Sequence, residues 1–195
     1  MSEQQEIEFK TLLTAEEHKK ICHFYHLIET DFKLQTNCYF DTVDKKLHQK
    51  GWGLRIRRYP DHGELTLKTP AKNGLLETTD SLSLKQTEQL IQQEKILTNG
   101  TVANKLLKED IAPSQLILLT QLTTKRAEFE IDTGLLAIDE SWYGLCHDFE
   151  LELEVADSTQ GKQDFLELLQ KWKITYQPAQ NKITRALLAK EKNEF

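Results

Sequence analysis

The stretch Glu6-Ile7-Glu8-Phe9-Lys10 decides the fold, because charged and apolar side chains alternate strictly along it. Successive residues of a β-strand point to opposite faces of a sheet, so this stretch predicts a strand with one charged and one apolar face. Thr14 follows as a candidate N-cap, with Glu17 three residues later as its capping-box partner. We therefore expect a helix from this cap to about Glu29.

The same alternation recurs in at least four further segments. The residues that share a face are Arg55 and Arg57; Thr66 and Lys68; Arg126, Glu128 and Glu130; and Glu150, Glu152 and Glu154. A sheet with one solvated face accounts for any single strand. It accounts less well for the set, because like charges recur on one strand face, where neighbours repel each other. If the sheet closes, these charged faces surround one interior and the apolar faces point outwards under helices.

The remaining segments complete an α+β pattern. We expect about eight strands, mostly linked by hairpins, at Glu6–Lys10, Asn37–Asp41, Leu54–Tyr59, Glu64–Thr69, Leu116–Thr124, Arg126–Asp132, Leu135–Ser141 and Asp148–Ala156. Further helices are expected near 45–47, in two parts over 85–107 with a break at Asn99-Gly100, over 163–172 and over 182–191. Such a set predicts one antiparallel α+β domain over residues 1–195, a barrel or sandwich with helices outside.

Composition excludes several classes of protein. The 195 residues include 25 Lys and Arg against 31 Asp and Glu, a formal charge of −6, which argues against a nucleic-acid partner. The longest apolar runs are far too short to span a bilayer, and the polar start of the chain is no secretory signal. Cys22, Cys38 and Cys146 are odd in number and widely spaced, so we expect reduced thiols and a cytoplasmic location. Neither a P-loop nor a GxSxG nucleophile elbow is present.

A shared interior with both signs of charge favours one kind of chemistry. Clustered carboxylates bind hard divalent cations, Mg²⁺ or Mn²⁺, through oxygen. Clustered Arg and Lys side chains bind phosphate oxygens, Arg in bidentate fashion. Together they describe a site for a metal-bound chain of phosphates.

The same residues carry a family resemblance. Glu6-x-Glu8-x-Lys10 resembles the ExExK signature of the CYTH, or triphosphate tunnel metalloenzyme, superfamily. The later pieces follow in the family's order: Tyr39-Phe40-Asp41-Thr42, Leu54-Arg55-Ile56-Arg57, Thr66-Leu67-Lys68, Thr124-Lys125-Arg126, Ile138-Asp139 and Phe149-Glu150-Leu151-Glu152. The match covers nearly the whole chain, which is most similar to the YjbK-type CYTH proteins of low-GC Gram-positive bacteria.

The resemblance implies a closed eight-stranded antiparallel β-barrel, a tunnel with helices packed outside, and it implies a role for each matched residue. The metal ligands would be Glu6, Glu8, Asp139, Glu150 and Glu152. The phosphate-binding residues would be Lys10, Arg55, Arg57, Lys68, Arg126 and Lys182, with Arg185 and Lys190 as competitors of Lys182. Glu6, Glu8, Lys10 and Arg126 would be catalytic. Whether Glu154 lies in the tunnel or at its rim stays open.

Three functions are compatible with such a site. The first is Mg²⁺- or Mn²⁺-dependent hydrolysis of the terminal phosphate of inorganic triphosphate or of a nucleoside or organic triphosphate. The second is an adenylyl cyclase of the class IV type, which needs an adenine pocket that no sequence motif identifies. The third is a non-catalytic module that binds triphosphate or polyphosphate. In each case we expect a small-molecule partner, no nucleic acid, no membrane, and a monomer or homodimer.

Overall fold

The computed structural model describes residues 2–193, which form nine strands, six α-helices and two short 3₁₀ helices. The strands are β1 (Ser2–Glu6), β2 (Glu8–Leu13), β3 (Phe32–Thr42), β4 (Gly53–Arg58), β5 (His62–Pro70), β6 (Leu75–Ser83), β7 (Leu116–Ile131), β8 (Gly134–Tyr143) and β9 (Cys146–Glu154). The helices are α1 (Ala15–Phe24), α2 (Lys46–Gln49), α3 (Leu84–Gln92), α4 (Thr101–Leu107), α5 (Ser158–Trp172) and α6 (Lys182–Asn193). The chain divides into two compact units, the first formed by Met1–Gln5 and Gln35–Leu122, the second by Glu6–Leu34 and Thr123–Phe195.

The first unit contains the strand order β1-β6-β5-β4-β3, and its pairs from β3 to β6 are antiparallel. Leu54 and Ile56 of β4 pair with Leu67 and Leu65 of β5, and all four side chains are fully buried. They pack with residues of α2, α3 and α4 in one apolar cluster. The alternate residues of the same strands carry the charges, so one face of this sheet is core and the other is polar.

The second unit contains the order β7-β8-β9-β2, again antiparallel. Leu151 and Leu153 of β9 are fully buried against α1 and α5, in a cluster that includes Ile21, Phe165 and Trp172. The opposite face of β9 presents Glu150, Glu152 and Glu154, as the alternation predicts. The two faces of each strand are thus chemically separate.

The antiparallel α+β class is confirmed, but the number and closure of the strands are not as expected. Two predicted strands form the single strand β7, because Lys125, the residue between them, pairs with Glu140 of β8 and the ladder continues without a break from Thr123 to Ile131. Strand β6 was not predicted, because Thr78 and Asp80 occupy its helix-facing positions. These polar groups bind α4: Asp80 accepts from Thr101 and Val102 N–H, and Thr78 from Lys105.

Neither unit closes its own ladder of strands. The end strands are β1 and β3 in the first unit and β7 and β2 in the second. The closed eight-stranded barrel is therefore not seen within either unit, and the described residues form nine strands instead of eight. The prediction of a single domain over residues 1–195 stays a prediction.

The helix ends follow local chemistry. The capping box at Thr14 and Glu17 is present, but α1 ends at Phe24 because the chain turns at His26, whose φ is 54°. Helix α5 begins at Ser158, earlier than expected, because the Asp157 side chain caps the N–H groups of Thr159 and Gln160. All helices within residues 2–193 are too short or too polar to cross a bilayer. The three cysteines are free thiols.

Candidate functional site

Three buried carboxylates meet on the charged face of the second unit. Asp139 of β8 lies directly opposite Glu150 of β9, and Glu152 follows two residues later on the same face. Each offers an oxygen within 4.8 Å of the others. The side chains of Asp139 and Glu150 are inaccessible to solvent, and that of Glu152 is 12% exposed. We call these residues the carboxylate triad.

Arg126 compensates part of this negative charge. Its guanidinium donates to both oxygens of Asp139, at 2.7 Å from Nε and 2.6 Å from Nη2, and also to Glu152. Burial opposes ionisation of Asp139, but the cations of Arg126 and Lys182 outweigh it and lower the pKa of the Asp139 carboxyl. Burial likewise disfavours the charged Arg126, while Asp139 and Glu152 raise the pKa of its guanidinium above the usual value.

Lys182, the first residue of α6, lies between the three carboxylates. Its Nζ atom is 2.8 Å from Asp139 Oδ2 and 2.6 Å from Glu152 Oε1, and it also contacts Glu150. Burial opposes the charge on this amine, and the three carboxylates overcome it, so its pKa is raised. An ammonium therefore takes the position that a cation bound by all three side chains would need.

The next turn of α6 adds a second contact to this cluster. Arg185 donates to Glu150, and its Nε atom lies 2.9 Å from Asp148 Oδ2. Tyr143 donates to the same Asp148. Burial, with the negative charge of Asp148, raises the pKa of Tyr143 to about 12. The hydroxyl therefore stays protonated at neutral pH and acts as a donor.

A small acidic cleft of about 20 Å³ lies beside the triad in the same unit, and Glu152 belongs to both. It is lined by Glu6, Glu8, Arg126, Glu128, Leu135, Ala137, Glu152 and Glu154. Lys10 lies next to it, with Nζ 2.7 Å from Glu8 Oε1 and 2.9 Å from Asn181 Oδ1. Burial acts against its charge, but Glu8 and Glu152 raise the pKa of Lys10. Glu154 also lines this cleft; whether it would lie inside a tunnel or at its rim stays open.

The first unit holds its own charged cluster, on the polar face of β4, β5 and β6. Lys68 and Glu77 are register partners, and their charged atoms are 2.7 Å apart. The Arg55 guanidinium lies 3.7 Å from the same Glu77 oxygen. Burial acts to raise the pKa of Glu77, but Lys68 and Arg55 lower it. Arg57 donates from Nε to Asn37 Oδ1 at 2.8 Å.

The predicted site residues therefore fall into two groups. The second unit holds Glu6, Glu8, Lys10, Arg126, Asp139, Glu150, Glu152 and Lys182; the first unit holds Arg55, Arg57 and Lys68. Sequence reasoning missed three partners of these residues, namely Asn37, Glu77 and Asn181. It also missed Tyr143 and Asp148, which lie beside Arg185. Glu128 lies on the face that the alternation marks, so its place in the cleft could have been predicted. Glu77 could not, because its strand was not recognised.

The donor set of the triad fits a hard divalent cation. It offers only carboxylate oxygens, the ligand type that Mg²⁺ and Mn²⁺ prefer, from residues fixed on adjacent strands. The acidic cleft beside the triad contains Arg126, and Lys10 lies next to that cleft. Both cationic side chains can contact phosphate oxygens. The second unit thus places carboxylates that can bind a metal ion next to cationic side chains that can bind phosphate.

Comparison with known proteins extends these observations. A family model described as the CYTH domain matches residues 4–187. The chain is 41% identical to the candidate triphosphatase YjbK of Bacillus subtilis strain 168. The alignment spans 193 residues and covers 99% of this chain and 100% of YjbK.

Solved structures show the same likeness. A crystal structure of a candidate adenylate cyclase from Bacillus halodurans is 38% identical, with a TM-score of 0.88, and covers 95% of this chain and 98% of its own. A Hippeastrum protein, described as a candidate adenylyl cyclase with a dominant triphosphatase activity, is 21% identical with a TM-score of 0.76. That match covers 93% of this chain and 95% of the other, and at this identity it shows the fold alone.

Proposed function

Because the chain belongs to the CYTH domain family, we propose that it is a metal-dependent triphosphatase, which removes the terminal phosphate of inorganic triphosphate or of a nucleoside or organic triphosphate. The observation that supports this most strongly is the buried carboxylate triad, surrounded by Arg126, Lys182 and the acidic cleft. The name of the Bacillus subtilis relative points to the same reaction.

The proposed roles follow from the chemistry of each group. Carboxylates hold the cation: Glu6, Glu8, Asp139, Glu150 and Glu152. Cationic side chains hold phosphate oxygens: Lys10, Arg55, Arg57, Lys68, Arg126 and Lys182. A bound Mg²⁺ or Mn²⁺ would neutralise phosphate charge, which the loose transition state of phosphoryl transfer requires. The side chains themselves position the phosphates and stabilise the charge that develops on them.

Lys182 has to change partners for this site to take a divalent cation. Its ammonium contacts all three triad carboxylates, and two cations cannot share that position. Once released, the same ammonium can contact a phosphate oxygen. We therefore propose that the start of α6 exchanges carboxylates for phosphate when substrate and metal bind.

The same proposal includes several further features of the protein. They are a closed eight-stranded tunnel, a single functional domain over residues 1–195, the choice of Mg²⁺ or Mn²⁺, a cytoplasmic location, and a monomer or homodimer without nucleic-acid or membrane partners.

The proposal is tested by removing one charge from the cleft. Glu8→Gln keeps the size of the side chain, and we expect kcat with inorganic triphosphate to fall about 100-fold while the circular dichroism spectrum is unchanged. Phosphate release is measured with Mg²⁺ and Mn²⁺ separately. The control is Glu16→Gln, at an exposed position of α1, which leaves kcat unaltered. Undiminished turnover in Glu8→Gln would contradict the proposal.

The second candidate is a nucleotide cyclase, which the description of the Bacillus halodurans relative favours. The two reactions differ in their products from ATP, since hydrolysis releases phosphate and cyclisation releases diphosphate with a cyclic nucleotide. Chromatography of the products from one ATP incubation separates them. Binding of triphosphate without any product, with either metal, would favour the non-catalytic module.

A further inference from the structure

The hairpin that joins β4 and β5 ends in two stacked aromatic rings. The ring centroids of Tyr59 and His62 are 4.5 Å apart, with 17° between the ring planes. The Tyr59 N–H donates to the His62 carbonyl at 2.9 Å and closes the turn. The His62 side chain is 48% exposed, with Nδ1 2.7 Å from Asp61 Oδ1, so part of its surface is accessible to a ligand.

The pair lies on the same face of the first unit as the basic residues. Arg55, Arg57 and Tyr59 are alternate residues along one strand direction, and Arg57 pairs with Glu64 across the hairpin. The Tyr59 hydroxyl lies 3.4 Å from Arg57 Nη1 and 3.4 Å from Glu64 Oε2. The aromatic ring is therefore held beside a guanidinium that we have assigned to phosphate.

The spacing along the strand matches an elongated ligand. At about 3.3 Å per residue, Arg55 and Tyr59 are separated by about 13 Å along β4, with Arg57 midway. In one of the two orientations that a triphosphate can take over the two arginines, an attached sugar and base lie towards the hairpin. Inorganic triphosphate has no group to place there.

We propose that Tyr59 and His62 form a stacking site for the base of a nucleoside triphosphate, whose phosphates contact Arg55 and Arg57. This inference rests on the proposed function, because it takes those arginines as phosphate ligands. Planar bases stack on aromatic rings with little dependence on which base it is. We therefore expect a general preference for nucleotides, stronger for purines. The substrate class is then nucleoside triphosphate, with inorganic triphosphate the weaker ligand.

A second hairpin supplies a matched control. Trp142 and His147, at the end of the β8–β9 hairpin, also stack, with centroids 5.1 Å apart and 6° between planes. The His147 side chain is 43% exposed, similar to His62. However, Trp142 and His147 lie on the face of Ile138 and Leu151, opposite to the face that carries Asp139 and Glu150.

The experiment compares KM for ATP with KM for inorganic triphosphate. We expect His62→Ala to raise the ratio of the two KM values about fivefold, because only ATP loses a stacking partner. Tyr59→Leu should raise it further, and His147→Ala should leave it unchanged. A ratio that stays constant in both hairpin variants, or that changes equally in His147→Ala, overturns the inference.

The design separates this inference from the proposed function. If the unaltered protein turns over neither compound, the proposed function fails, and the same ratio is then measured as Kd by calorimetry. If it turns over inorganic triphosphate but the ratio does not respond to His62→Ala or Tyr59→Leu, the stacking site alone fails. Circular dichroism identifies a variant that does not fold, and the other hairpin variant then decides the result.

Discussion

The two units hold their charges in different ways. In the second unit, Asp139 and Glu150 are inaccessible to solvent, and Lys182, one of the cations that compensate them, comes from a helix more than 30 residues further along the chain. In the first unit, Lys68 and Glu77 face each other across adjacent strands, and their side chains are 19% and 23% exposed. One cluster therefore depends on a distant element, whereas the other is built from hairpin neighbours.

The difference matters because buried charge needs a partner. An ionised carboxylate without solvent loses several kcal/mol of hydration free energy unless a cation and hydrogen bonds replace the water. Arg126 and Lys182 supply that replacement to Asp139. The Glu77 side chain keeps 23% of its surface exposed, although the Oε1 atom that faces Lys68 is buried, and each ion pair there contributes less to stability. Function that requires a cation to be exchanged is thus expected in the second unit.

The largest effect is expected from a substitution that breaks the buried cluster of the second unit. Asp139→Ala removes one of the two carboxylates that Arg126 and Lys182 share, Glu152 being the other, and we expect the free energy of unfolding to fall by about 3–5 kcal/mol. The measurement is urea unfolding followed by circular dichroism. Glu77→Ala is the matched variant in the first unit and should cost only about 1 kcal/mol. Equal losses in the two variants would remove the distinction between the units.

The next effect concerns the cation between the carboxylates. Lys182→Ala removes the ammonium that a divalent ion has to displace, so we expect Mn²⁺ to bind about tenfold more tightly, equivalent to about 1.4 kcal/mol. Isothermal titration calorimetry without substrate measures this directly. Lys190→Ala, on the exposed part of the same helix, is the control and should leave the affinity unaltered. Unchanged or weaker binding in Lys182→Ala would show that the ammonium does not compete with metal.

Much of this comparison could be predicted from the alternation of residues. A period of two placed Glu150 and Glu152 on one face and Leu151 and Leu153 on the other, and the structure has them so. The family resemblance, which the family model and the relatives confirm, added the roles that we propose for the site residues. Local pattern and resemblance together therefore gave the antiparallel class and the chemistry of the strands.

The rest depended on tertiary contacts that no local pattern encodes. Strand β6 was missed because its helix-facing positions hold Asp80 and Thr78, which serve α4 instead of an apolar core. The resemblance singled out Lys182 as a phosphate ligand, but its contact with three carboxylates exists only once α6 packs on the sheet. Asn37 gave no signal, since a buried Asn becomes informative only when its partner is known.

A smaller effect is expected from variants of Asn37, which test how the first unit orients Arg57. This residue is buried and accepts from Arg57 Nε, and so orients the guanidinium. Asn37→Ala removes one hydrogen bond, and we expect KM for triphosphate to rise about two- to fivefold with kcat unchanged. Asn37→Asp keeps the acceptor and should restore KM. A fall in kcat in both variants would instead indicate general loss of structure.

The smallest effect is expected from His18, an ionisable residue that is held neutral on the helix-covered face of the second unit. His18 of α1 is 8% exposed, and its ring packs against Phe149 with centroids 4.6 Å apart and 39° between the ring planes. Burial lowers the pKa of His18, against the opposing charges of Glu140 and Asp139. The unfolded chain takes up a proton near pH 6.5, before the folded protein does. The contribution of His18 to stability is therefore complete above that pH and is lost as the pH falls through the lower, folded pKa.

His18→Phe removes this proton uptake and keeps a ring against Phe149. We expect its free energy of unfolding to fall less steeply below pH 6.5 than that of the unaltered protein, and to run parallel to it above pH 7. Urea unfolding at half-unit intervals of pH gives the two slopes. The same exchange at exposed His23 should change neither slope, because that ring meets water in both states. If His18→Phe and the unaltered protein lose stability in parallel on acidification, His18 contributes nothing to acid sensitivity, and other titrating groups, such as the paired carboxylates of the two units, account for it.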